Sequence, residues 1–543
     1  MKLLGALLQH LKRSRAMPSP ALDLEQVLSD GMAAFMAGDL KSAARACELA
    51  LGSAPHNPDA LYLAGVVSYA RGDWDIAIAY LEQAIEKGGA KPAYLKDYGG
   101  FLASVGRHRE ALSVLRRALA LDPGSARVHS NLLFVIGCCD HVSADEVCAA
   151  HRFFGQRVAD ALMPETVLHA NSRDPDRPLT IGYVSADLRE HAVRYFIEPV
   201  LAGHDRARHR IVCYSSAPVA DETTGRLRAM TDLWRDIAGM SDTDAAAMMR
   251  ADGIDILVDL SGHTRGNRLL ALARKPAPVQ VTWFGAVQTT GMKAIDWRLT
   301  DEHIDPPGLT ERLSCERLMR LAHSYACFRP HPDSPAVGPL PALAGGIDCG
   351  ITFASVNSGH KINDAVVALW ARLISSVPRS RLLVVIEHGE LPDIQRMVAA
   401  RFAASGLDPS RLEIAGRRPM AGFLQLLHSV DVLLDPFPQN GGITSLHALW
   451  MGVPVISLAG AAPIGRIGVS LLSQLGLESF VARDHDGYVE IARRCATDLA
   501  GLADLRAGLR ERMRASTLMD EKGFMRDLES AYRDMWREWC NAR

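Results

Sequence analysis

A 34-residue spacing governs the first quarter of the chain. Gly31, Gly65 and Gly99 are each followed twelve residues later by Ala43, Ala77 and Ala111, and the same interval relates Gly38, Gly72 and Gly106, then Cys47, Leu81 and Leu115, then Ala50, Ala84 and Ala118. Columns held in register like this describe a unit that cannot bury its own apolar face and stacks on its neighbour instead. Small residues in the Gly65 and Ala77 columns let two antiparallel helices approach closely, and Leu81 and Ala84 are expected to pack against the next hairpin. Gly72, in Arg71-Gly72-Asp73, supplies the reversal between the helices. The expectation is three helical hairpins over roughly residues 25–125.

The array resembles the tetratricopeptide repeat, with Pro55 and Pro123 where that family ends its second helix. Such an array serves either as a helical spacer or as a concave surface for an extended peptide or partner protein. In front of it, Leu3, Leu4, Ala6, Leu7 and Leu8 followed by Lys12, Arg13 and Arg15 suggest a short amphipathic helix within residues 1–24, too short an apolar run for a signal peptide. The repeats are assigned to 25–130. A helical connector follows over 131–175, ending in the Ser172-Arg-Asp-Pro-Asp-Arg-Pro178 linker.

With 543 residues, the remaining chain has room for two further domains. Short β-rich runs alternate with helical stretches: 179–185, 209–215, 255–260 and 279–283, then, after a Pro-rich passage at 329–341, 350–355, 381–386, 411–415, 431–435 and 453–458. That alternation means two doubly wound α/β lobes, at 176–340 and at 341–543 with a terminal helix. Ligands of such sheets bind beyond the carboxyl ends of the strands, so the cleft between the lobes is the expected site. Lys+Arg of 60 against Asp+Glu of 62 gives a net charge of -2 and no general basic surplus for nucleic acid. No stretch approaches the ~20 apolar residues that span a bilayer. Ten cysteines with no C-x-x-C pair suit a reducing cytoplasm, where the protein is expected.

The most informative segment runs from Asp431 to Ile456. A buried strand ends near Pro436, an Asn440-Gly441-Gly442 turn follows, and a helix opens near Thr444-Ser445. Glycines there let backbone amides approach an anion, the helix N-terminus adds positive potential, and two hydroxyls donate. A diphosphate fits this turn, and so does a plain strand-turn-helix with a Ser/Thr cap.

Taken with the repeats, this segment resembles the nucleotide-binding stretch of the O-linked N-acetylglucosamine transferase family, glycosyltransferase family 41, including its plant and bacterial SPINDLY-like relatives. Further stretches are similar in the same order: Ser185-Ala-Asp-Leu-Arg-Glu-His191, Asp259-Leu-Ser-Gly-His-Thr-Arg-Gly266, Arg274–Gln280, Trp283-Phe-Gly285, Gly291, Asp296 to Asp301, Asn357-Ser-Gly-His-Lys-Ile362 and Arg466. The resemblance implies a two-lobed GT-B fold and an inverting, metal-independent protein glycosyltransferase. The donor would be a nucleotide sugar, best taken as UDP-N-acetylglucosamine, and no cofactor is implied. The acceptor would be Ser or Thr of a protein held by the repeats.

Carried over by position, Lys361 would reach the donor's diphosphate, with Thr444, Ser445 and the Asn440, Gly441 and Gly442 turn on the same phosphates. Arg418 would border the uracil. His191 would stand at the reacting centre near the acceptor hydroxyl, and His263, Thr264 and Gly285 would line the sugar side. The chain departs from the family at Gly442 and Ile443, where it has His-Thr, and at His447, where an Asp bonds the ribose. Ser358 replaces a Gln, and Met420 and Phe423 replace a Lys and a His near the phosphates. These departures keep three alternatives open: Asn glucosylation, flagellin glycosylation with another sugar, and a repeat scaffold without turnover. Asp174-Pro-Asp176 and Asp242-Thr-Asp244 are D-x-D by letter only, the second an acidic first turn behind Ser241. No metal site and no oligomeric state are read from the sequence.

Overall fold

The computed structural model describes residues 23–166, 168–285, 287–344 and 350–542. Residues 1–22 of the expected amphipathic segment lie outside the described residues. The chain up to Pro123 forms one unit and nearly all of it from Gly124 onward forms a second.

The first unit consists of α1 (Leu24–Met36), α2 (Leu40–Ser53), α3 (Pro58–Ala70), α4 (Trp74–Gly88), α5 (Pro92–Ser104) and α6 (His108–Leu121), paired as three hairpins. Gly38, Gly72 and Gly106 turn the chain within each hairpin at φ of 80°, 87° and 85°, conformations a side chain resists. A Cβ on Gly99 would stand 2.6 Å from Leu115 and 3.3 Å from the Ala111 carbonyl, so the Gly and Ala columns do let paired helices touch. One expectation changes. Leu81 lies against Gly65 of its own hairpin, 3.0 Å from where a Cβ would be, and it is Ala84, clustered with Leu61 and Tyr94, that reaches the next. Tyr62 to Asp97 at 2.7 Å and Tyr69 to Ser104 at 2.6 Å add hydrogen bonds between successive hairpins.

The second unit opens with α7 (Ala126–Ile136) and α8 (Ala144–Phe154), the latter fixed by a capping box of Ser143 and Glu146. Two parallel sheets follow. The first comprises β1 (Leu179–Ser185), β2 (His209–Ser215), β3 (Leu233–Asp236), β4 (Ile256–Asp259), β5 (Val279–Thr282), β6 (Trp297–Thr300) and β7 (Arg317–Arg320), in the order β3-β2-β1-β4-β5-β6-β7. The second comprises β8 (Thr352–Ser355), β9 (Arg381–Ile386), β10 (Leu412–Gly416), β11 (Val432–Leu434), β12 (Val455–Leu458) and β13 (Val481–Ala482), in the order β10-β9-β8-β11-β12-β13. Both sheets therefore switch direction beside their first strand, which opens a crevice at the carboxyl ends.

Three further helices matter below: α9 (Arg194–Gly203), α10 (Ile443–Trp450) and α11 (Glu521–Asn541). The terminal helix, expected with the second lobe, instead packs into the first. Phe524, Leu528, Ala531, Tyr532, Met535 and Trp536 share one core with Leu179, Ile181 and Trp283, because their three- and four-residue spacing puts one apolar stripe against that sheet. The two D-x-D pairs are tied to local structure. Arg537 donates to Asp176 Oδ1 at 2.8 Å, and Ser241 caps its helix by accepting from Asp244 N at 3.1 Å. Among the described residues, no helix is long and apolar enough to cross a membrane.

Candidate functional site

Four loops leave the carboxyl ends of their strands and meet around a cavity of about 170 Å³. The loop after β4 brings His263 and Thr264, the loop after β5 brings Gly285, the turn after β8 brings Lys361, and the turn after β11 brings Asn440 and Gly442. Six of the residues proposed from sequence thus line one space. Leu133 and Phe134 of α7 close its wall, which makes the connector helix part of the site.

The second-lobe side is arranged for an anion. Gly442 is the N-cap of α10 and offers no side chain, so the first amides of the helix have no side-chain cap. Lys361 sits in a short turn at Gly359–Lys361 and its Nζ donates to Asn440 O at 2.7 Å. Burial pulls its pKa below the usual lysine value, opposed by the Asp435 carboxyl and lowered further by Arg417. The Ser445 hydroxyl is buried and makes no hydrogen bond. An uncapped helix N-terminus, a half-buried ammonium and an unsatisfied hydroxyl together supply what a diphosphate needs.

Asp435 holds this turn together and is the residue that motif reading passed over. It is fully buried at the end of β11. Its Oδ1 accepts from Gly441 N at 2.6 Å and its Oδ2 from Ser457 Oγ at 2.7 Å. Burial raises its pKa to about 7, against the lowering by those two bonds and by Lys361. A Cβ on Gly441 would lie 2.7 Å from Ser445 Oγ and 2.9 Å from Asp435 Oδ1, so only glycine fits between carboxyl and helix.

The first-lobe side is rigid and neutral. His263 is buried, with Nε2 2.9 Å from Thr290 O and Nδ1 3.3 Å from Ser130 Oγ. Burial, with His151 beside it, lowers its pKa to about 3. The neutral ring therefore donates from Nε2 and accepts Ser130 at Nδ1. Thr264 Oγ1 donates to Ser261 O at 2.9 Å. A Cβ on Gly285 would come within 2.1 Å of the Leu260 carbonyl oxygen, which fixes that position as glycine.

The remaining candidates stand outside the cavity wall. His191 leads into α9 with 41% of its side chain exposed, and its Nδ1 accepts from Val193 N at 3.3 Å. Burial of the rest of the ring lowers its pKa, Asp187 at 3.8 Å opposes this, and Arg417 lowers it as it does that of Lys361. Arg418 is exposed beyond β10, and Thr444 is partly exposed in the first turn of α10.

His447 is 0% exposed, makes no hydrogen bond through either nitrogen, and is boxed by Tyr195 at 4.6 Å, Phe328 at 5.3 Å and Phe423 at 6.0 Å, all edge-on. His447 and Phe423, both expected to differ from the family pattern, are thus in contact. A third, Ser358, accepts from Arg417 at 2.6 Å. Between the lobes, Arg466 Nε donates to His303 O at 2.9 Å and Ser470 Oγ to Asp301 Oδ2 at 2.5 Å. These bonds give Arg466 and Asp301 a role in joining the two halves of the crevice.

Known proteins are similar along most of the chain. Residues 126–328 and 345–528 match the family described as glycosyl transferase family 41, and residues 34–96 match a tetratricopeptide repeat. A probable UDP-N-acetylglucosamine–peptide N-acetylglucosaminyltransferase SPINDLY of Solanum lycopersicum is 40% identical over 431 residues, covering 78% of this chain and 45% of that protein. The UDP-N-acetylglucosamine–peptide N-acetylglucosaminyltransferase of Caenorhabditis elegans is 24% identical over 534 residues, covering 76% and 46%. The chain spans a little under half the length of these curated relatives. Among solved structures, a mutant O-GlcNAc transferase of Thermobaculum terrenum superposes with a TM-score of 0.90 at 38% identity, over 96% of this chain and 99% of that one.

Proposed function

Because the chain belongs to glycosyl transferase family 41, we propose that it transfers N-acetylglucosamine from UDP-N-acetylglucosamine to a Ser or Thr hydroxyl of a protein presented by the repeats, with inversion at the anomeric carbon and no metal. The observation that carries the reading is the meeting of Lys361 with the uncapped N-terminus of α10 in one cavity. In the transfer, the bond between the anomeric carbon and the diphosphate oxygen breaks while a bond to the acceptor oxygen forms on the opposite face. The acceptor proton departs, and UDP leaves with the electron pair.

Negative charge grows on the leaving diphosphate. Lys361, the first amides of α10 and the hydroxyls of Thr444 and Ser445 are placed to meet it, and groups so fixed in a water-poor site stabilise a transition state strongly. Among the described residues that line the cavity, the cation is the Lys361 ammonium, which with the helix N-terminus would carry that charge. His191 accepts from Val193 at Nδ1, so its neutral ring carries the proton on Nε2. In this tautomer it orients the acceptor or the sugar by donating, and proton removal passes to water or to the departing phosphate.

His263 and Thr264, held by Ser130, Thr290 and Ser261, give the sugar side a fixed polar surface. His447, in its aromatic box, supplies no carboxylate.

The test is transfer from a panel of sugar nucleotides to acceptor peptides, read by mass spectrometry. Incorporation of N-acetylhexosamine on Ser or Thr that Lys361→Ala abolishes supports the proposal. Incorporation of another sugar, or on Asn, would replace the donor or the acceptor. No turnover with any donor would favour the scaffold.

A further inference from the structure

At the opposite end of the first sheet from the cavity, three side chains from three elements converge. His204 follows α9, His209 is the first residue of β2, and Glu529 projects from α11. Their ligand atoms all lie within 4.8 Å of one another. His204 Nδ1 is 3.0 Å and His209 Nδ1 3.1 Å from Glu529 Oε1. The two imidazoles are 0% and 3% exposed and the carboxylate 19%, so the cluster opens to solvent only on the glutamate side.

We propose that His204, His209 and Glu529 form a binding site for a divalent transition metal ion, best suited to Zn²⁺, which clamps α11 to the first lobe. Three lines of geometry support it. Tetrahedral zinc with bonds of about 2.1 Å separates its ligand atoms by about 3.4 Å, against 3.0 and 3.1 Å for the two His–Glu pairs and at most 4.8 Å for the set. His209 Nδ1 is buried and makes no hydrogen bond although Glu529 Oε1 is 3.1 Å away. His204 Nδ1 does meet Glu529 Oε1 in a hydrogen bond at 3.0 Å, so it is His209 Nδ1, unpaired while facing the same oxygen, that points to a shared ion.

The surroundings also resemble those of a metal-bound histidine. His204 Nε2 is 2.8 Å from Tyr183 OH, which is 3.2 Å from Tyr532 OH. With Nε2–H donating to Tyr183, and Tyr183 donating to Tyr532, Nδ1 would offer its lone pair to an ion in place of its hydrogen bond to Glu529. Asp205 N donates to Glu529 Oε1 at 2.9 Å and orients the carboxylate. Three protein ligands leave one position for water on the exposed side, where the ion would enter. Two neutral imidazoles with one carboxylate form the mixed N/O set that zinc accepts.

The experiment uses the full chain freed of metal by chelation, with Co²⁺ and Zn²⁺ as probes. One equivalent of Co²⁺ should bring up the visible absorption of a four- or five-coordinate site, one equivalent of Zn²⁺ should abolish it, and Zn²⁺ should raise the melting temperature by a few degrees. His209→Asn and Glu529→Gln should each lose both signals while keeping the response to sugar nucleotides, which belongs to the other end of the sheet. A flat Co²⁺ spectrum with the unaltered chain overturns the proposal even if neither variant folds. Equal metal responses in the variants and the parent overturn it too.

Discussion

Replacing Asp435 by Asn changes one atom at the bottom of the phosphate turn and should remove the pH dependence that this residue imposes. The carboxyl is fully buried and its pKa stands at about 7, against 3.8 ordinarily. In the unfolded chain it ionises near pH ~3.9, so between about pH 4 and 7 the folded protein holds a proton that unfolding releases. The sign follows: the contribution of this group to stability is fully present below about pH 4 and is lost as the pH rises toward 7. The slope is about 1.4 kcal/mol per pH unit, amounting to about 4 kcal/mol over the interval.

Asn stays neutral throughout. Its Oδ1 can still accept from Gly441 N, and its amide can donate to a Ser457 hydroxyl that turns to accept, so the cost in hydrogen bonding is about 1 kcal/mol. Asp435→Asn should therefore be near neutral or slightly destabilising at the acid end and stabilising by about 2–3 kcal/mol above pH ~7. Urea unfolding of both proteins at unit steps from pH 5 to 8 measures the difference. Parallel stability curves would show that the carboxyl is ionised in the folded protein across this range and refute the reasoning.

Other perturbations follow from the same geometry. Lys361→Met should leave the melting temperature within a few degrees of the parent, because the side chain makes one bond to Asn440 O, and should reduce turnover by about 10²–10³, as loss of a preorganised charge does. Gly441→Ala places a Cβ 2.7 Å from Ser445 Oγ and should weaken nucleotide binding more than about tenfold in calorimetry, by displacing the turn. Gly285→Ala sets a Cβ 2.1 Å from the Leu260 carbonyl oxygen, a contact between backbones that cannot relax cheaply, and should lower stability by about 3 kcal/mol or more in urea unfolding. His191→Ala should cut kcat by about 10²-fold through lost positioning of the acceptor or sugar, while leaving the thermal shift with UDP unchanged, since His191 stands off the cavity wall.

The fold was legible where the sequence repeats or alternates. The glycine columns gave the hairpins because a left-handed turn and a close helix contact each demand glycine at a fixed interval, as Gly72 and Gly99 show. Buried central strands such as Val279–Thr282 stood out as β-rich runs, whereas β3, β6, β7 and β13 did not. Residues 233–236 and 317–320 are edge strands with half-exposed, charged residues, 481–482 is two residues long, and 297–300 carries Arg298, whose buried pairing with Asp305 at 2.8 Å no local pattern announces.

At the site, motif position found the residues on the ends of strands, from His263 to Gly442. It missed Asp435, whose importance comes from what it holds, and α7, whose Leu133 and Phe134 form a wall only after folding. The final helix looked like part of the second lobe because chain order is a poor guide to packing once a segment crosses back. His447 read as a departure at a ribose position. Only the three rings around it show that it belongs to an aromatic box.

The central claim, that the cavity between Lys361 and α10 holds the donor's diphosphate, is tested most directly by calorimetric titration of UDP into the parent chain and into Lys361→Met. One site per chain is expected, with affinity at least about tenfold weaker in the variant, a loss of about 1.4 kcal/mol or more. Equal affinity in the two proteins would contradict it, as would an absence of UDP binding to a correctly folded parent chain.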